Sequence, residues 1–362
     1  MHLLLFFTEN MSLKKWEDLG ILSREIKPYL ELNSLGIEIS FITYGDREDL
    51  NFSKIIGGIN IYCNQMNLPM PLYKMLIHFL HYKAFKSCNI IKTNQMFGSN
   101  IALRCAKYFR KPLFSRFGYM LSEFEKNENR KYEKFISMEN KVFDYADKII
   151  VTTKSIKSEV EKRINKQVDK ILIVPNYVDT DLFKPKSNKI IKYDVLFVGR
   201  IVYQKNLISL LKALDTLNSN ALIIGNGHLR DELISQFSHL EERITWVKCI
   251  PNNELPIIMN QSKLFVLPSH YEGHPKILLE AMSCGMAALG ANSPGISGLI
   301  KHGINGYLSN IDSDSIRIAI NELLSESDLR KSLGYSAREF ALKNFSLEKV
   351  VKIEYDLYKS IF

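Results

Sequence analysis

The chain predicts an α/β fold of parallel sheets covered by helices, and two observations carry that expectation. Short apolar or β-branched runs alternate with helix-length segments along nearly all of its 362 residues, the pattern of strands joined by crossover helices. With 46% hydrophobic and 24% charged residues, the chain has the length and composition of two ordinary globular domains, with no disorder bias. There is neither an internal repeat nor a low-complexity tract.

The run Leu3 to Phe7 reads as a first strand. It has no basic residue before it and no small-residue cleavage pattern after it, so a signal peptide is not expected. A helical stretch follows from Leu13 to Leu32, then a strand at IEISFITYG. PMPLYKMLIHFLHYKAFKSCN places Leu72, Met75, Leu76, Phe79 and Leu80 on one helical face, the pattern of a core helix or of a surface-docking one. KIIVTT and KILIVPN are further strands. The stretch VDTDLFKPKSNKIIK, lysine-rich with a proline, packs poorly into a core and marks a junction near residues 183 to 191. A first domain is therefore expected over 1–185 and a second over 186–345, the latter with strands at YDVLFVG, ALIIGNG, RITWVKC and SKLFVLPS. The segment from Ser346 to 362 is a helix, with Ser346 as its cap and Val350, Ile353, Tyr355 or Leu357, and Ile361 at helical spacing.

Composition narrows the classes further. Five cysteines without a C-x-x-C pair suit free thiols in the cytoplasm better than a disulfide frame. No apolar run approaches the roughly 18–20 residues that span a bilayer. The net charge of +9 is uneven, because no Asp or Glu occurs from Leu50 to Ser122. That span predicts an anionic partner surface, membrane rather than nucleic acid, since no nucleic-acid module is present.

SKLFVLPSHYEGHPKILLEAMSCG reads as strand, loop and helix, with Pro275 at the first helical position and Gly285 just past the end. The amides of Lys276 and Ile277 then face the carboxyl edge of the sheet, where a phosphate fits. Glu280, set among apolar neighbours, is placed to accept hydrogen bonds from two hydroxyls of one ligand, with Glu272 contacting another part; taken alone, Glu280 also suits the surface side of a half-buried helix. A paired acid and base is not expected, because Glu280 lies on the helix and Glu272 in the loop before it. At YDVLFVGRIVYQKN the strand ends at Gly199, and Arg200 and Lys205 emerge at the same edge, as phosphate ligands or as ordinary solvated cations. Gly225-Asn226-Gly227 adds a tight turn that lets a ligand approach backbone. Three such loops together point to a nucleotide cleft.

GRIVYQKN, GNGHLRDEL, VLPSHYEGHPKILLEAMSCG and GLIKHGINGYL resemble the signature of glycosyltransferase family 4, retaining enzymes of the GT-B fold. The resemblance covers nearly the whole second domain and reaches the first through EKFISMENKVFDYADKIIVTT and VPNYVDTDLFKP. It implies two doubly wound Rossmann-like domains facing an interdomain cleft, with the C-terminal helix, 346–362, returning to the first. It also implies that Arg200 and Lys205 hold the diphosphate of a nucleotide sugar, Gly199, Asn226 and Gly227 lie against the donor, and Glu280 takes the ribose. Glu272 and the Gly273, His274, Pro275, Lys276 loop would take the transferred sugar. The first domain departs from the family pattern: TENMSLKKW stands in place of a glycine-rich loop, and Phe117 or Gly118 where a histidine is expected. Arg116, Tyr119, Asn94 and Gln95 are the replacements, and Lys14, Lys15 and Trp16 would floor the acceptor side, Trp16 being equally suited to a core.

The D-x-D triplets at Asp179 to Asp181 and Asp312 to Asp314 read as a turn and a helix cap rather than as metal ligands, and the histidines lack zinc spacing. No metal and no cofactor is expected beyond the donor itself. The combined expectation is a metal-independent retaining hexosyltransferase acting on a lipopolysaccharide-, capsule- or exopolysaccharide-type glycan, carried by a lipid or a lipid A core. It would be cytoplasmic and peripheral on the inner face of the membrane. The alternatives are a soluble sugar-phosphate or glucan synthase, and a non-catalytic scaffold of a glycan-assembly complex.

Overall fold

The structure is a computed structural model and describes residues 1–128, 130–164, 168–187 and 190–360. Ile361 of the expected terminal helix and positions 188 and 189 of the expected junction lie outside the described residues. The chain divides into two compact units, Met1–Pro175 with Val351–Phe362, and Asn176–Val350.

The first unit holds β1 (His2–Phe6), β2 (Glu38–Ile42), β3 (Ile59–Tyr62), β4 (Ile90–Thr93), β5 (Leu113–Phe117), β6 (Lys148–Val151) and β7 (Ile171–Ile173). All pair in parallel in the order β3-β2-β1-β4-β5-β6-β7. Leu3, Leu4 and Leu5 are fully buried on both faces of the sheet, as a central parallel strand requires. The connections carry α1 (Leu13–Asp18), α2 (Leu22–Ser34), α3 (Met70–Leu80), α4 (Tyr82–Ser87), α5 (Ser99–Phe109), α6 (Leu121–Asn127), α7 (Glu133–Tyr145) and α8 (Lys154–Arg163). The single helix expected from Leu13 to Leu32 is thus two, because the chain turns at Gly20 and the Ile21 amide bonds back to the Trp16 carbonyl. In α3 the inward residues are Tyr73 and Ile77, while Leu72, Met75, Phe79 and Leu80 are exposed. Their common face is a surface, and the core-helix reading is wrong.

The second unit holds β8 (Tyr193–Val198), β9 (Ala221–Ile224), β10 (Ile244–Val247), β11 (Ser262–Leu267), β12 (Ala287–Ala291) and β13 (Tyr307–Ser309), parallel in the order β10-β9-β8-β11-β12-β13. Its helices are α9 (Leu207–Asp215), α10 (Arg230–Gln236), α11 (Leu255–Asn260), α12 (Lys276–Ser283), α13 (Ser313–Ser325) and α14 (Ser327–Phe345), and α15 (Leu347–Lys359) follows. Along β8, Val195 and Phe197 enter one core with α9 and α13, and Leu196 enters the other with α12 and α14. This is the two-sided burial that alternating side chains of a covered sheet produce.

The boundary differs from the expected 185/186. Val178 and Phe183 are buried in the core under α12 and α14, and the Val178 amide donates to the Phe345 carbonyl at 2.8 Å. Residues from Asn176 onward therefore belong to the second unit. The C-terminal boundary also moves: the helix starts at Leu347, with the Ser346 hydroxyl accepting from the Lys349 amide at 3.4 Å, but it counts with the first unit only from Val351.

Candidate functional site

In the second sheet, β8 and β11 are neighbours from which the chain winds outward in opposite directions, to β9 and β10 on one side and to β12 and β13 on the other. Parallel α/β sheets bind ligands outside the carboxyl ends of strands at such a reversal. The two loops that leave β8 and β11 there are joined by an ion pair between Lys205 and Glu272. The Ser269 hydroxyl donates to the same Glu272 oxygen, Oε1, at 2.8 Å. Arg200 is exposed just past β8, and its Nη2 donates to Gln204 Oε1 at 3.3 Å. Gln204 in turn donates to the Tyr271 carbonyl at 2.8 Å, so one side chain steers Arg200 and ties the β8 loop to the β11 loop. Asn206 completes the brace, donating to the carbonyls of Pro268 at 3.1 Å and Ile311 at 2.8 Å.

The loop after β11 is held from behind. The Glu272 amide donates to the Pro294 carbonyl at 2.9 Å, and a Cβ on Gly295, which has φ +82°, would come 2.2 Å from the Glu272 carbonyl oxygen. Only glycine fits that approach. Pro275 proves to be the cap rather than the first helical residue, since α12 begins at Lys276, and Gly285 lies just past its end with φ +67°. Glu280 is 1% exposed on the second turn and accepts from Asn252 Nδ2 at 2.9 Å, Asn252 lying in the loop after β10. The carboxylate among apolar neighbours is therefore oriented by a fixed amide. His274 is turned inward, its ring edge-on to Phe345 at 5.3 Å and its carbonyl accepting from Asn176 Nδ2 at 2.6 Å. The Lys276 ammonium sits 5.3 Å from the centre of the Tyr177 ring. Tyr203 stacks on His270 at 4.7 Å, and burial holds the His270 imidazole below its ordinary value.

Beside this set, the Gly199 amide donates to the Ile224 carbonyl at 3.0 Å, and a Cβ on Gly225 would meet the Gly199 carbonyl oxygen at 1.9 Å. These glycine turns pack backbone against backbone at the carboxyl ends of β8 and β9. Asn226 is exposed, its Oδ1 accepting from the Gly227 amide at 2.9 Å. The arrangement presents two cations, a helix start and two oriented carboxylates along one edge, which is what an anionic, hydroxyl-bearing ligand needs.

In the first unit the order reverses between β1 and β4. Asn94 and Gln95 follow β4, and Arg116 lies on β5. Arg116 Nη1 donates to the Asn94 carbonyl at 3.3 Å, Asn94 Nδ2 to Thr8 Oγ1 at 3.4 Å, and the Gly118 amide to Gln95 Oε1 at 2.9 Å. Tyr119 packs on Phe124 at 5.1 Å. Trp16 does not join them. It is 2% exposed and stacks on Phe7 at 4.0 Å, so it is a core residue and offers no ring face to a ligand. Lys14 is engaged by Glu17 at 2.9 Å and Asp18 at 3.0 Å.

Asp179 Oδ1 accepts from the amides of Asp181 and Leu182, and Asp312 Oδ1 from that of Ser315. Among the described residues no three His, Cys, Asp or Glu side chains converge as metal ligands, and no helix is long and apolar enough to cross a membrane. Sequence reasoning missed Gln204, Asn252 and Gly295, because each acts through contacts made across the sheet edge, and Ser269, whose hydroxyl reaches Glu272 within one loop.

Residues 179–340 match the family model for glycosyl transferases group 1. Over 212 residues the chain is 30% identical to the UDP-Gal:alpha-D-GlcNAc-diphosphoundecaprenol alpha-1,3-galactosyltransferase of Escherichia coli, a match covering 52% of this chain and 54% of that one. It spans a little over half the length of the curated relatives it matches. Among solved structures, HepE of Anabaena in complex with UDP and glucose aligns over 99% of this chain and 100% of its own, with TM-score 0.81 and 17% identity. Sucrose-phosphate synthase of Thermosynechococcus elongatus aligns over 100% and 99%, with TM-score 0.82 and 18% identity. At those identities the likeness is one of fold, and the fold is GT-B: two Rossmann-like domains, each on a parallel sheet.

Proposed function

We propose that the protein is a retaining, metal-independent hexosyltransferase that moves a sugar from a nucleoside-diphosphate sugar to a growing cell-surface glycan on a lipid-linked acceptor. The observation that carries this reading is the Lys205–Glu272 ion pair at the β8/β11 reversal, a cation and a carboxylate in contact, to which the reading gives the phosphate and the sugar. Arg200 and Lys205 neutralise the leaving diphosphate, Glu280 takes the ribose hydroxyls, and Glu272 with the Gly273 to Lys276 loop takes the hexose. In the transfer, the bond from the acceptor oxygen to the anomeric carbon forms on the face from which the bond to the phosphate oxygen breaks. The acceptor proton passes to the departing phosphate oxygen, so charge stabilisation by the two cations supplies most of the catalysis. The relative from Escherichia coli, whose name states a diphosphoundecaprenol-linked acceptor, supports the lipid-borne one. A lipid-borne acceptor must be met at a bilayer surface, here the inner face of the cytoplasmic membrane.

The test is thermal denaturation with UDP, GDP, ADP and their sugars, combined with donor hydrolysis in the absence of acceptor. A ligand that binds only the folded state raises Tm with its concentration. We expect one nucleotide and its sugar to do so, with slow release of free sugar. A non-catalytic scaffold would release none, and a soluble sugar-phosphate synthase would transfer to a free sugar phosphate. Absence of any nucleotide-dependent shift would overturn the reading.

A further inference from the structure

The helical layer formed by α3, α4 and α5 presents apolar side chains outward. Met75 is 54% exposed, Phe79 59% and Tyr108 58%, and Leu72 and Tyr82 are also open. These belong to one patch: the rings of Phe79 and Tyr108 lie 6.1 Å apart, those of Tyr82 and Phe109 5.5 Å apart, and Arg104 of α5 donates to the Met75 carbonyl at 3.3 Å. The patch is rigidly backed. Tyr73 and Ile77 anchor α3 in the core, where the Tyr73 hydroxyl donates to the Thr43 carbonyl at 3.0 Å and is hydrogen-bonded with His81 Nε2 at 2.9 Å.

The segment that carries the patch is charged with one sign. Lys83 and Lys86 of α4 and Lys107 of α5 are exposed, as is Arg110 just beyond, and the whole span from Leu50 to Ser122 lacks Asp and Glu. Not every cation in it is available. Lys74 pairs with Glu9, Lys92 with Glu354, and Lys111 donates to the carbonyls of Lys86 at 3.0 Å and Cys88 at 2.6 Å. Lys83, Lys86 and Lys107 face solvent on α4 and α5, with Lys86 5.9 Å from the Tyr82 ring centre and Lys107 5.1 Å from that of Tyr145 on α7. An amphipathic face of this kind, apolar and aromatic at its centre with basic flanks and with Glu9 neutralised by Lys74, matches the interface of an anionic bilayer.

We propose that this face docks on anionic lipid, with Met75, Phe79 and Tyr108 entering the headgroup layer and Lys83, Lys86, Lys107 and Arg110 meeting lipid phosphates. The proposal deepens the reading above and rests on its lipid-borne acceptor. It also assigns a purpose to the Lys74–Glu9 pair, which ties the docking helix to the loop after β1, where Thr8 meets the acceptor-side Asn94.

Sedimentation with liposomes tests it, using phosphatidylcholine alone and phosphatidylcholine containing about 30% phosphatidylglycerol, at low and high salt. Wild type should pellet with the anionic vesicles only, and less at high salt. A basic side chain near such a surface contributes about a fivefold factor, so Lys83→Glu/Lys86→Glu/Lys107→Glu should weaken binding by at least roughly 100-fold. Phe79→Ser/Tyr108→Ser should weaken it independently of salt. Both variants should keep the wild-type circular dichroism spectrum and rate of donor hydrolysis. If the triple reversal unfolds, Lys83→Gln/Lys86→Gln, with milder changes, takes its place. Equal binding to both vesicles, no binding, or unchanged binding by the folded variants would overturn the docking. So would a dimer in sedimentation velocity that Phe79→Ser dissociates without any vesicle binding. Loss of docking with donor hydrolysis intact leaves the transferase reading standing, whereas loss of hydrolysis in wild type removes that reading and leaves the docking measurement unaffected.

Discussion

Lys92 and Glu354 stand 262 positions apart in the chain and form an ion pair of 2.6 Å, wholly buried inside the first unit. Tyr358 donates to the same Glu354 oxygen at 2.9 Å, and the Lys92 ammonium lies 5.3 Å and 5.7 Å from the ring centres of Tyr29 and Tyr358. Burial pushes Lys92 below its ordinary value. It acts in the opposite sense on Glu354, where the charges of Lys92 and Arg116 outweigh it and hold the carboxyl below the usual range. Lys92→Met should therefore destabilise by about 3–5 kcal/mol, because it strands a buried carboxylate, while Lys92→Met/Glu354→Leu should recover most of the loss. Urea unfolding of the three proteins decides this. Additive losses would mean the pair is not coupled.

Arg200→Ala and Lys205→Ala should each lower turnover at saturating donor by roughly 10²- to 10³-fold, the usual effect of removing one preorganised contact to a developing anion. EDTA should leave wild-type turnover unchanged. Loss of activity on chelation, or wild-type turnover in either variant, would contradict a clamp made of side chains alone.

Asn252→Ala removes the amide that aims Glu280 without touching the proposed ligand. Nucleotide affinity should fall roughly tenfold, the effect of one hydrogen bond to a charged group. Thermal shift against nucleotide concentration measures it, and Asn252→Ala/Glu280→Gln should lose less than the sum of the two single changes. Strictly additive losses would show that Asn252 does not act through Glu280.

His81 is buried against Tyr73 and Tyr62, and burial lowers its pKa from 6.5 to about 4. The unfolded chain takes up the proton at higher pH than the folded one does. Its contribution is thus complete above pH 6.5 and is lost as pH falls toward 4. Over that window the loss is on the order of 3 kcal/mol. His81→Gln keeps a donor for the Tyr73 hydroxyl and cannot titrate. The stability difference between pH 7 and pH 4.5 should shrink in that variant, and an unchanged difference would assign the acid sensitivity elsewhere.

Gly295→Ala should cost turnover more than fold, since the clash falls on the Glu272 backbone. The expected outcome is a loss of at least tenfold in donor hydrolysis, one pKa-unit-sized free-energy step at the transition state. Circular dichroism and hydrolysis on the same sample separate the two effects.

How much of this the sequence discloses depends on the distance over which each feature is encoded. The parallel α/β class is legible in local runs such as YDVLFVG and SKLFVLPS, whose apolarity reflects burial on both faces. Arg200, Lys205, Glu272 and Glu280 are legible because the loops that carry them follow recognisable strands. The break at Gly20 is local too, but a residue that ends one helix and precedes another leaves the helical period nearly intact. Gln204 tying the β8 loop to Tyr271, Asn252 aiming Glu280, and Gly295 backing Glu272 depend on sheet order, which periodicity does not specify. Trp16 shows the same limit: helical spacing places it on a face, and only the register of β1 shows that Phe7 lies beneath it.

The chain leaves the first unit at Pro175 and re-enters it at Val351. During synthesis, the second unit is therefore complete in sequence while the first still lacks its last helix. Until that helix emerges, Lys92 has no Glu354 to meet, and a cation sits where the finished interior is closed. Completion of the first unit thereby waits for the segment that carries Glu354. A chain cut after residue 350 should leave an ordered second unit attached to a first unit in which Lys92 lacks its carboxylate, a gap that exogenous peptide of the missing helix should fill.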